Sequence, residues 1–291
     1  MPELPEVEVT RRRIAPLLLG RRIREVETTR DSYLFLTRPN RLRSRLTGRS
    51  VVALLRRGKY LICVLDEGSR LVIHLGMTGQ FFSGAATSPR LLSVTARASL
   101  SPAEQIDFQP DSHTHLRLAF EDEGPRVFLR DVRKFGKILL LDPGEQHPRL
   151  ERLGIDALEV NGEHLFRATR KRQLVIKNLL LQQSVITGVG NIYADEALFC
   201  AGLRPTRRAG RVSRAECGVL ADAIRAILER SIEMGGSSIR DFVAPDGSDG
   251  SYQDERRVYA RAGQACDVCG TPIKKIVLGQ RGTHYCPVCQ R

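Results

Sequence analysis

Two Cys-x-x-Cys pairs near the end of the chain restrict its possible folds more than any other feature. Cys266 and Cys269 form the first pair and Cys286 and Cys289 the second, with residues 270–285 between them. Four thiolates in paired knuckles suit a tetrahedral zinc ion, and a closed four-sulfur site is structural rather than catalytic. A redox function would need only one of the pairs. We therefore expect one structural Zn²⁺ that folds the end of the chain.

The residues between the two pairs predict a β-hairpin. Ile273 and Ile276-Val277-Leu278 can pair across it, and its tip includes Gly279-Gln280-Arg281-Gly282. Arg281 would then stand at the tip of a metal-stabilised finger, where its planar set of donors suits a phosphate group. A solvated arginine without a ligand is the alternative interpretation, and the finger alone does not decide between them.

The charge of the chain indicates a polyanionic partner. The 291 residues include 46 Lys and Arg against 33 Asp and Glu, a formal net charge of +13. Neutralising phosphates releases condensed counterions, so such a charge favours nucleic acid, although ribosomal and membrane-surface proteins share it. No apolar run approaches the ~18 residues of a membrane span, and the acidic N-terminus is unlike a signal peptide. We expect a cytoplasmic monomer without a membrane partner, in which Cys63, Cys200 and Cys217 are buried reduced thiols.

The order of the hydrophobic patterns predicts an α+β protein. A helix should begin at about Pro5, and short β-rich runs between residues 22 and 142 predict an antiparallel β-sandwich. After Leu150 the hydrophobic period becomes helical. We expect an N-terminal domain, a helical domain and a zinc finger, with boundaries at 1–150, 151–257 and 258–291.

Three further segments carry a possible function. The glycine turn 188–190 with Asn191 as the N-cap of the next helix predicts a phosphate cradle, and a plain capped helical hairpin is the alternative. Residues 237–257 predict a lid or a linker. Residues 84–112 read as a long irregular excursion whose purpose the sequence does not indicate.

The first residues of the chain offer a nucleophile. Once Met1 is removed, the ring nitrogen of Pro2 is a secondary amine, and an α-amino group with a pKa of about 8 is partly unprotonated at neutral pH. Such an amine can form a Schiff base with a sugar carbon, and Glu3 beside it can act as acid or base. A proline that is merely the second residue is the alternative. Lys59 lies in a predicted exposed turn, where a solvated lysine is the ordinary interpretation.

Six motifs in a fixed order make the chain resemble the formamidopyrimidine-DNA glycosylase family over nearly its whole length. The motifs are Pro2-Glu3-Leu4-Pro5-Glu6-Val7-Glu8, Gly58-Lys59-Tyr60-Leu61, His74-Leu75-Gly76-Met77-Thr78-Gly79, Asp131-Val132-Arg133-Lys134-Phe135-Gly136, Gly188-Val189-Gly190-Asn191-Ile192-Tyr193-Ala194-Asp195-Glu196 and the finger with Gln280-Arg281. Leu4 favours this branch over the related endonuclease VIII branch, where glycine is usual.

The resemblance implies a β-sandwich with a terminal helix, followed by a helix–two-turn–helix and the zinc finger, acting on double-stranded DNA. It implies removal of oxidised purines, notably 8-oxoguanine and formamidopyrimidines, followed by cleavage at the abasic sugar. The residues implied as catalytic are Pro2, Glu3, Lys59 and Arg281. The residues implied to contact DNA or fill the space left by the flipped base are Met77, His113, Arg133, Phe135, Arg172 and Asn191.

Two other functions fit the same features. A protein that binds damaged duplexes without turnover would keep the charge and the finger, and only the catalytic set argues against it. A glycosylase that prefers oxidised pyrimidines would keep the charge, the finger and the catalytic residues alike.

Overall fold

The computed structural model describes residues 2–84, 86, 110–238 and 242–291, which cluster into two compact units. The first unit comprises Met1–Pro148 and Met234–Ser251, and the second comprises Arg149–Glu233 and Tyr252–Arg291. Residues 234–251, expected in the helical domain, thus pack with the first unit. Most of the irregular stretch 84–112, and residues 239–241 of the expected lid, lie outside the described residues.

The first unit is an antiparallel β-sandwich with an N-terminal helix, as predicted. Its elements in chain order are α1 (Leu4–Ile14), β1 (Ile23–Thr28), α2 (Pro39–Leu46), β2 (Val51–Arg57), β3 (Tyr60–Leu65), β4 (Arg70–His74), β5 (Gly79–Ser83), β6 (Thr114–Phe120), β7 (Val127–Asp131) and β8 (Lys137–Leu141). One sheet has the strand order β1-β6-β7-β5 and the other β2-β3-β4-β8, with antiparallel pairing throughout.

Helix α1 covers the sandwich because its sequence suits a helix with one apolar face. Pro5 lies in its first turn, where a missing N–H costs nothing, and Arg11, Arg12 and Arg13 lie in its last turn, near the negative end of the helix dipole. Its fully buried Val7 and Ile14 join the core between the two sheets, where each buried aliphatic side chain contributes about 1.5–3 kcal/mol.

The second unit combines helices with a small hairpin. Its elements are α3 (Pro148–Glu151, at the boundary), β9 (Ile155–Asp156), α4 (Gly162–Thr169), α5 (Ile176–Leu180), β10 (Ile186–Thr187), α6 (Asn191–Cys200), α7 (Arg214–Glu233), β11 (Lys274–Leu278) and β12 (Arg281–Tyr285). Helix α7 packs against α4 and α6, and β12 packs against α6. No helix in the described ranges is long and apolar enough to cross a membrane.

The three cysteines outside the finger are not all buried. Cys63 on β3 and Cys217 on α7 are buried, and burial raises the pKa of the Cys63 thiol to about 12. Cys200 is exposed, so the expectation of a buried thiol there is wrong. It is the last residue of α6, where the helix leaves the apolar packing.

Candidate functional site

The start of helix α1 holds the predicted nucleophile and acid in place. Pro2 and Glu3 are both buried, and Glu3 is 3% exposed. The backbone N–H of Glu3 donates to Glu6 Oε2 at 2.8 Å, and that of Ser237 donates to Glu6 Oε1 at 2.9 Å. One carboxylate therefore holds both the residue before the helix and the 234–251 segment.

A second glutamate, Glu8, joins α1 to the sheet that contains β2. Arg56 Nε on β2 donates to Glu8 Oε2 at 3.1 Å, and Arg11 and Arg12 also donate to this carboxylate. Burial raises the pKa of Glu8, but the hydrogen bonds from Arg11 and Arg12 and the charges of Arg11 and Arg56 outweigh it and lower the pKa to about 2. The carboxylate is thus ionised at neutral pH and fixes the direction of the helix that begins beside Pro2.

Lys59 is buried rather than exposed. It lies between β2 and β3 and is only 6% exposed, so the expectation of a solvated turn lysine is wrong. The reason is that α1 packs against both of these strands. Helix α1, which follows Pro2 and Glu3, therefore packs on β2 and β3, the two strands that Lys59 connects.

Two loops of the first unit, residues 75–78 and 132–136, are locked together by one buried carboxylate. Thr78 Oγ1 donates to Asp131 Oδ1 at 2.5 Å, and the N–H of Gly136 donates to Asp131 Oδ2 at 2.7 Å. Gly76, at φ +65°, approaches so closely that a Cβ there would lie 2.4 Å from the Gly136 nitrogen. The two loops therefore form one rigid ridge.

This ridge carries three of the predicted DNA-contacting residues. Met77 is half-buried, Phe135 is 44% exposed, and the Arg133 guanidinium carbon lies 4.6 Å from the centre of the Phe135 ring. Tyr33 Oη donates to the carbonyl oxygen of Arg133 at 2.8 Å, and Lys137 Nζ lies 4.9 Å from the Tyr33 ring. The structure thus brings Met77, Arg133 and Phe135 together and adds Tyr33 to them.

His113 is joined to the same ridge through its backbone. Its carbonyl oxygen accepts from the N–H of Asp131 at 2.9 Å. Nearby His115 is 1% exposed, with Nε2 3.1 Å from the carbonyl oxygen of Asp131 and Nδ1 2.9 Å from Thr29 Oγ1. Burial lowers the pKa of His115. Since a carbonyl only accepts, Nε2 carries the proton of the neutral ring and Nδ1 accepts from the threonine hydroxyl.

In the second unit, Arg281 is the first residue of strand β12 and its side chain is exposed. The two residues after it, Gly282 and Thr283, accept hydrogen bonds from a buried lysine on α5. Lys177 Nζ donates to the Gly282 carbonyl oxygen at 3.0 Å and to Thr283 Oγ1 at 2.8 Å, and it pairs with Asp195 Oδ1 at 2.6 Å. Asp195 Oδ2 accepts from the N–H of His284 at 2.8 Å. The finger tip is therefore fixed by a fully buried ion pair.

Asn191 does not cap its helix as predicted. Gly190 is the N-cap of α6, and Asn191 is the first helical residue. Its Nδ2 instead donates to the Gly282 carbonyl oxygen at 2.9 Å, and its Oδ1 is buried with no hydrogen-bond partner in the described part of the chain. The finger hairpin offers a nearby acceptor, and this contact between elements distant in sequence outcompetes local capping. Asn191 and Arg281 are thereby brought together.

Glu196, next to Asp195, holds the segment that leads into the finger. Its Oε1 accepts from the N–H groups of Val258 and Tyr259 at 3.0 and 2.7 Å, and its Oε2 accepts from that of Arg257 at 2.8 Å. Burial raises the pKa of Glu196, and these backbone donors partly offset the rise.

Arg172 lies on the loop between α4 and α5. Its side chain is exposed, and Nη1 donates to Gln182 Oε1 at 3.2 Å.

The four cysteines of the two pairs converge as their spacing predicts. Their sulfur atoms all lie within 4.8 Å of one another, with Cys266 and Cys289 3.9 Å apart and Cys269 and Cys286 3.5 Å apart. A tetrahedron of sulfurs at about 2.3 Å from a zinc ion has edges of about 3.8 Å, which these distances match. The donor set therefore fits a closed tetrahedral metal site.

Several residues of these sites were not singled out from the sequence: Glu6, Tyr33, His115, Asp131, Lys177, Asp195 and Glu196. Four of them, Glu6, Asp131, Asp195 and Glu196, lie inside the motifs. Lys177 carries its own signal, because a lysine inside the apolar segment Ile176–Leu181 must find a buried partner. Tyr33 and His115 carry none.

Comparison with protein families covers almost the whole chain. Residues 1–138 match the family described as formamidopyrimidine-DNA glycosylase N-terminal domain, residues 153–243 match the formamidopyrimidine-DNA glycosylase H2TH domain, and residues 263–291 match the zinc finger found in FPG and IleRS.

Individual relatives and solved structures agree with these matches. The chain is 45% identical to the formamidopyrimidine-DNA glycosylase of Thioalkalivibrio sulfidiphilus, with both proteins covered completely. It superposes on the crystal structure of MutM (FPG) from Thermus thermophilus with a TM-score of 0.83 and 37% identity, over 99% of this chain and 98% of that one. The Lactococcus lactis Fpg in complex with DNA containing an abasic site gives a TM-score of 0.85 and 34% identity, over 99% of each chain.

Proposed function

The chain belongs to the formamidopyrimidine-DNA glycosylase family, and from that premise we propose that it excises oxidised purines from double-stranded DNA and then cleaves the abasic site. The substrates would be 8-oxoguanine and formamidopyrimidines. The observation that carries the proposal is the anchored N-terminus, where Pro2 and Glu3 are buried and Glu6 and Glu8 hold the helix behind them.

Recognition would begin with extrusion of the damaged nucleotide, because its C1′ atom is inaccessible inside a duplex. Met77, Arg133 and Phe135 would fill the vacated space, since an apolar wedge and a guanidinium both stack on bases and the guanidinium can also pair with the orphaned base. The rigid ridge built around Asp131 supports this role, because a wedge must not yield when bases are unstacked.

Base removal would then proceed through a covalent intermediate. The nitrogen of Pro2 attacks C1′ while the N-glycosidic bond breaks, and the base leaves with its electron pair and takes up the proton that the Pro2 nitrogen loses. Glu3 gives a proton to the sugar ring oxygen, so that the ring opens and an iminium forms. A secondary amine yields an iminium with no N–H to lose, which therefore stays cationic. While Met1 remains attached, the Pro2 nitrogen is an amide and the chain is inactive.

Strand cleavage would follow from the same iminium. It acidifies the C2′ proton, whose loss expels the 3′ phosphate, and a second elimination expels the 5′ phosphate. Lys59 would assist phosphate and proton handling in the first elimination, and Arg281 would hold phosphate during the second. Asn191, His113 and Arg172 would contact the DNA backbone.

The metal would be a single zinc ion held by Cys266, Cys269, Cys286 and Cys289. It would supply folding energy to the finger and take no part in the reaction. The protein would act as a monomer on cytoplasmic DNA.

Borohydride trapping tests the mechanism. Protein with Met1 removed, incubated with a duplex containing 8-oxoguanine opposite cytosine, should give a covalent complex upon reduction of the iminium. Pro2→Gly and Glu3→Gln should abolish cleavage and leave binding largely intact. Tight lesion binding by the wild type without any cleavage would indicate a binding protein instead. A panel that includes oxidised pyrimidines, run beside 8-oxoguanine, tests the substrate class.

A further inference from the structure

Four basic side chains surround one concavity in the second unit. The concavity has a volume of about 280 Å³, and Lys171, Arg172, Arg208 and Arg211 line it together with Gln173 and Gly210. We call it the basic pocket. No acidic residue lines it.

The walls of the basic pocket are tied together by backbone hydrogen bonds. The N–H of Ala209 donates to the Leu174 carbonyl oxygen at 2.9 Å, and that of Gly210 donates to the Arg172 carbonyl oxygen at 3.1 Å. A Cβ on Gly210 would lie 3.0 Å from that same oxygen, which is tighter than ordinary contact. The two chain segments that carry the basic side chains are therefore held at a fixed spacing.

The positive charge of the basic pocket is not neutralised from within the protein. Arg207, which does not line it, donates to both oxygens of Glu216 at 2.6 and 3.0 Å. Its neighbour Arg208 donates only to the neutral Gln173 Oε1, at 3.0 Å. Within the described ranges, no ion pair involves any of the four lining basic residues. Arg207 thus forms an ion pair within the protein, whereas no carboxylate in the described ranges pairs with its neighbour Arg208.

We propose that the basic pocket binds a phosphodiester group of the DNA strand, with Arg208 and Arg211 as its main ligands. The proposal rests on the proposed function and extends it, because the resemblance assigned a DNA contact only to Arg172 here. At about 30 Å³ per water molecule, the pocket has room for a phosphate group with part of its hydration. Guanidinium groups present paired donors that match phosphate oxygens. Such a contact would add to affinity without reading sequence or damage.

The test compares two double variants with the same change of charge. Arg208→Gln/Arg211→Gln removes the proposed ligands. Arg214→Gln/Arg230→Gln removes two exposed arginines that already pair with carboxylates. Binding to an undamaged duplex is measured between 50 and 200 mM KCl, with circular dichroism as the check on folding.

When one phosphate contact is lost, the slope of log affinity against log salt concentration should become less steep by about 0.9. Between 50 and 200 mM KCl, the factor by which affinity falls should therefore be about 3.5 times smaller than for wild type. The first variant should show this change and the control should keep the wild-type slope. Equal slopes for wild type and the first variant would overturn the proposal, as would binding of inorganic phosphate at the basic pocket with no change in DNA binding. Base excision and borohydride trapping, measured on the same proteins, report separately on the proposed function. A wild type that neither excises nor traps would refute that function while the salt slopes still decide the phosphate contact.

Discussion

The buried ion pair between Lys177 and Asp195 holds the finger hairpin against the helices. Both side chains are 0% exposed, and Asp195 also accepts from the N–H of His284 on the finger. Asp195→Asn keeps the size of the side chain but leaves the lysine ammonium in a buried place without its counter-charge. Removing one partner of a buried pair costs about 3–5 kcal/mol. We expect the substitution to lower the free energy that docks the finger hairpin onto the helices by this amount.

Amide hydrogen exchange measures this cost locally. At about 1.4 kcal/mol for each tenfold change, 3–5 kcal/mol corresponds to exchange about 150- to 5,000-fold faster in the hairpin, up to the limit set by global unfolding. Peptides from β3, in the other unit, serve as the internal reference. Glu163→Gln, which breaks only the exposed pairs with Arg167 and Arg214, is the matched control and should change exchange by less than about tenfold.

The functional consequence follows from the place of Arg281. Because strand β12 begins with Arg281 and is clamped at Gly282 and Thr283, a loosened hairpin should impair the second elimination more than base release. Single-turnover assays that resolve the two elimination products would show it. Hairpin exchange within threefold of wild type in Asp195→Asn would refute the reasoning, because the ion pair would then carry no docking energy.

Three further predictions test other parts of the molecule. Because the folded pKa of Glu8, about 2, lies below its ordinary value of 4.5, its contribution to stability should be complete above pH 4.5 and lost as the pH falls towards 2. Glu8→Gln should therefore lower stability by about 1–3 kcal/mol at pH 7 but hardly at pH 2, measured by urea unfolding at both pH values. Asp131→Asn should loosen the ridge that carries Arg133 and lower lesion excision at least about tenfold in kcat/KM, whereas unchanged binding of undamaged duplex would exclude general misfolding. A strong zinc chelator should release one metal ion per chain and increase exchange in the hairpin while leaving β3 protected, as measured by mass spectrometry.

Much of the architecture followed from local patterns in the sequence. The spacing of Cys266, Cys269, Cys286 and Cys289 was enough to predict the metal site, because two short knuckles can close around one ion whatever the rest of the fold does. The helix at Pro5 and the antiparallel strands followed from turn residues and hydrophobic period, since these act over a few residues.

Other properties arose only when distant elements packed together. Lys59 read as exposed and is buried, because α1 packs against the two strands on either side of it, more than forty residues later in the chain. Asn191 read as a helix cap and instead donates to Gly282 on the finger. Capping and exposure can be estimated from neighbours in sequence, but burial and the choice among competing acceptors depend on which surfaces meet. The sequence by itself therefore determined the sandwich and the metal site, whereas the tertiary structure decided which of the predicted site residues are buried and what holds each in place, since desolvation and long-range hydrogen bonds exist only after packing.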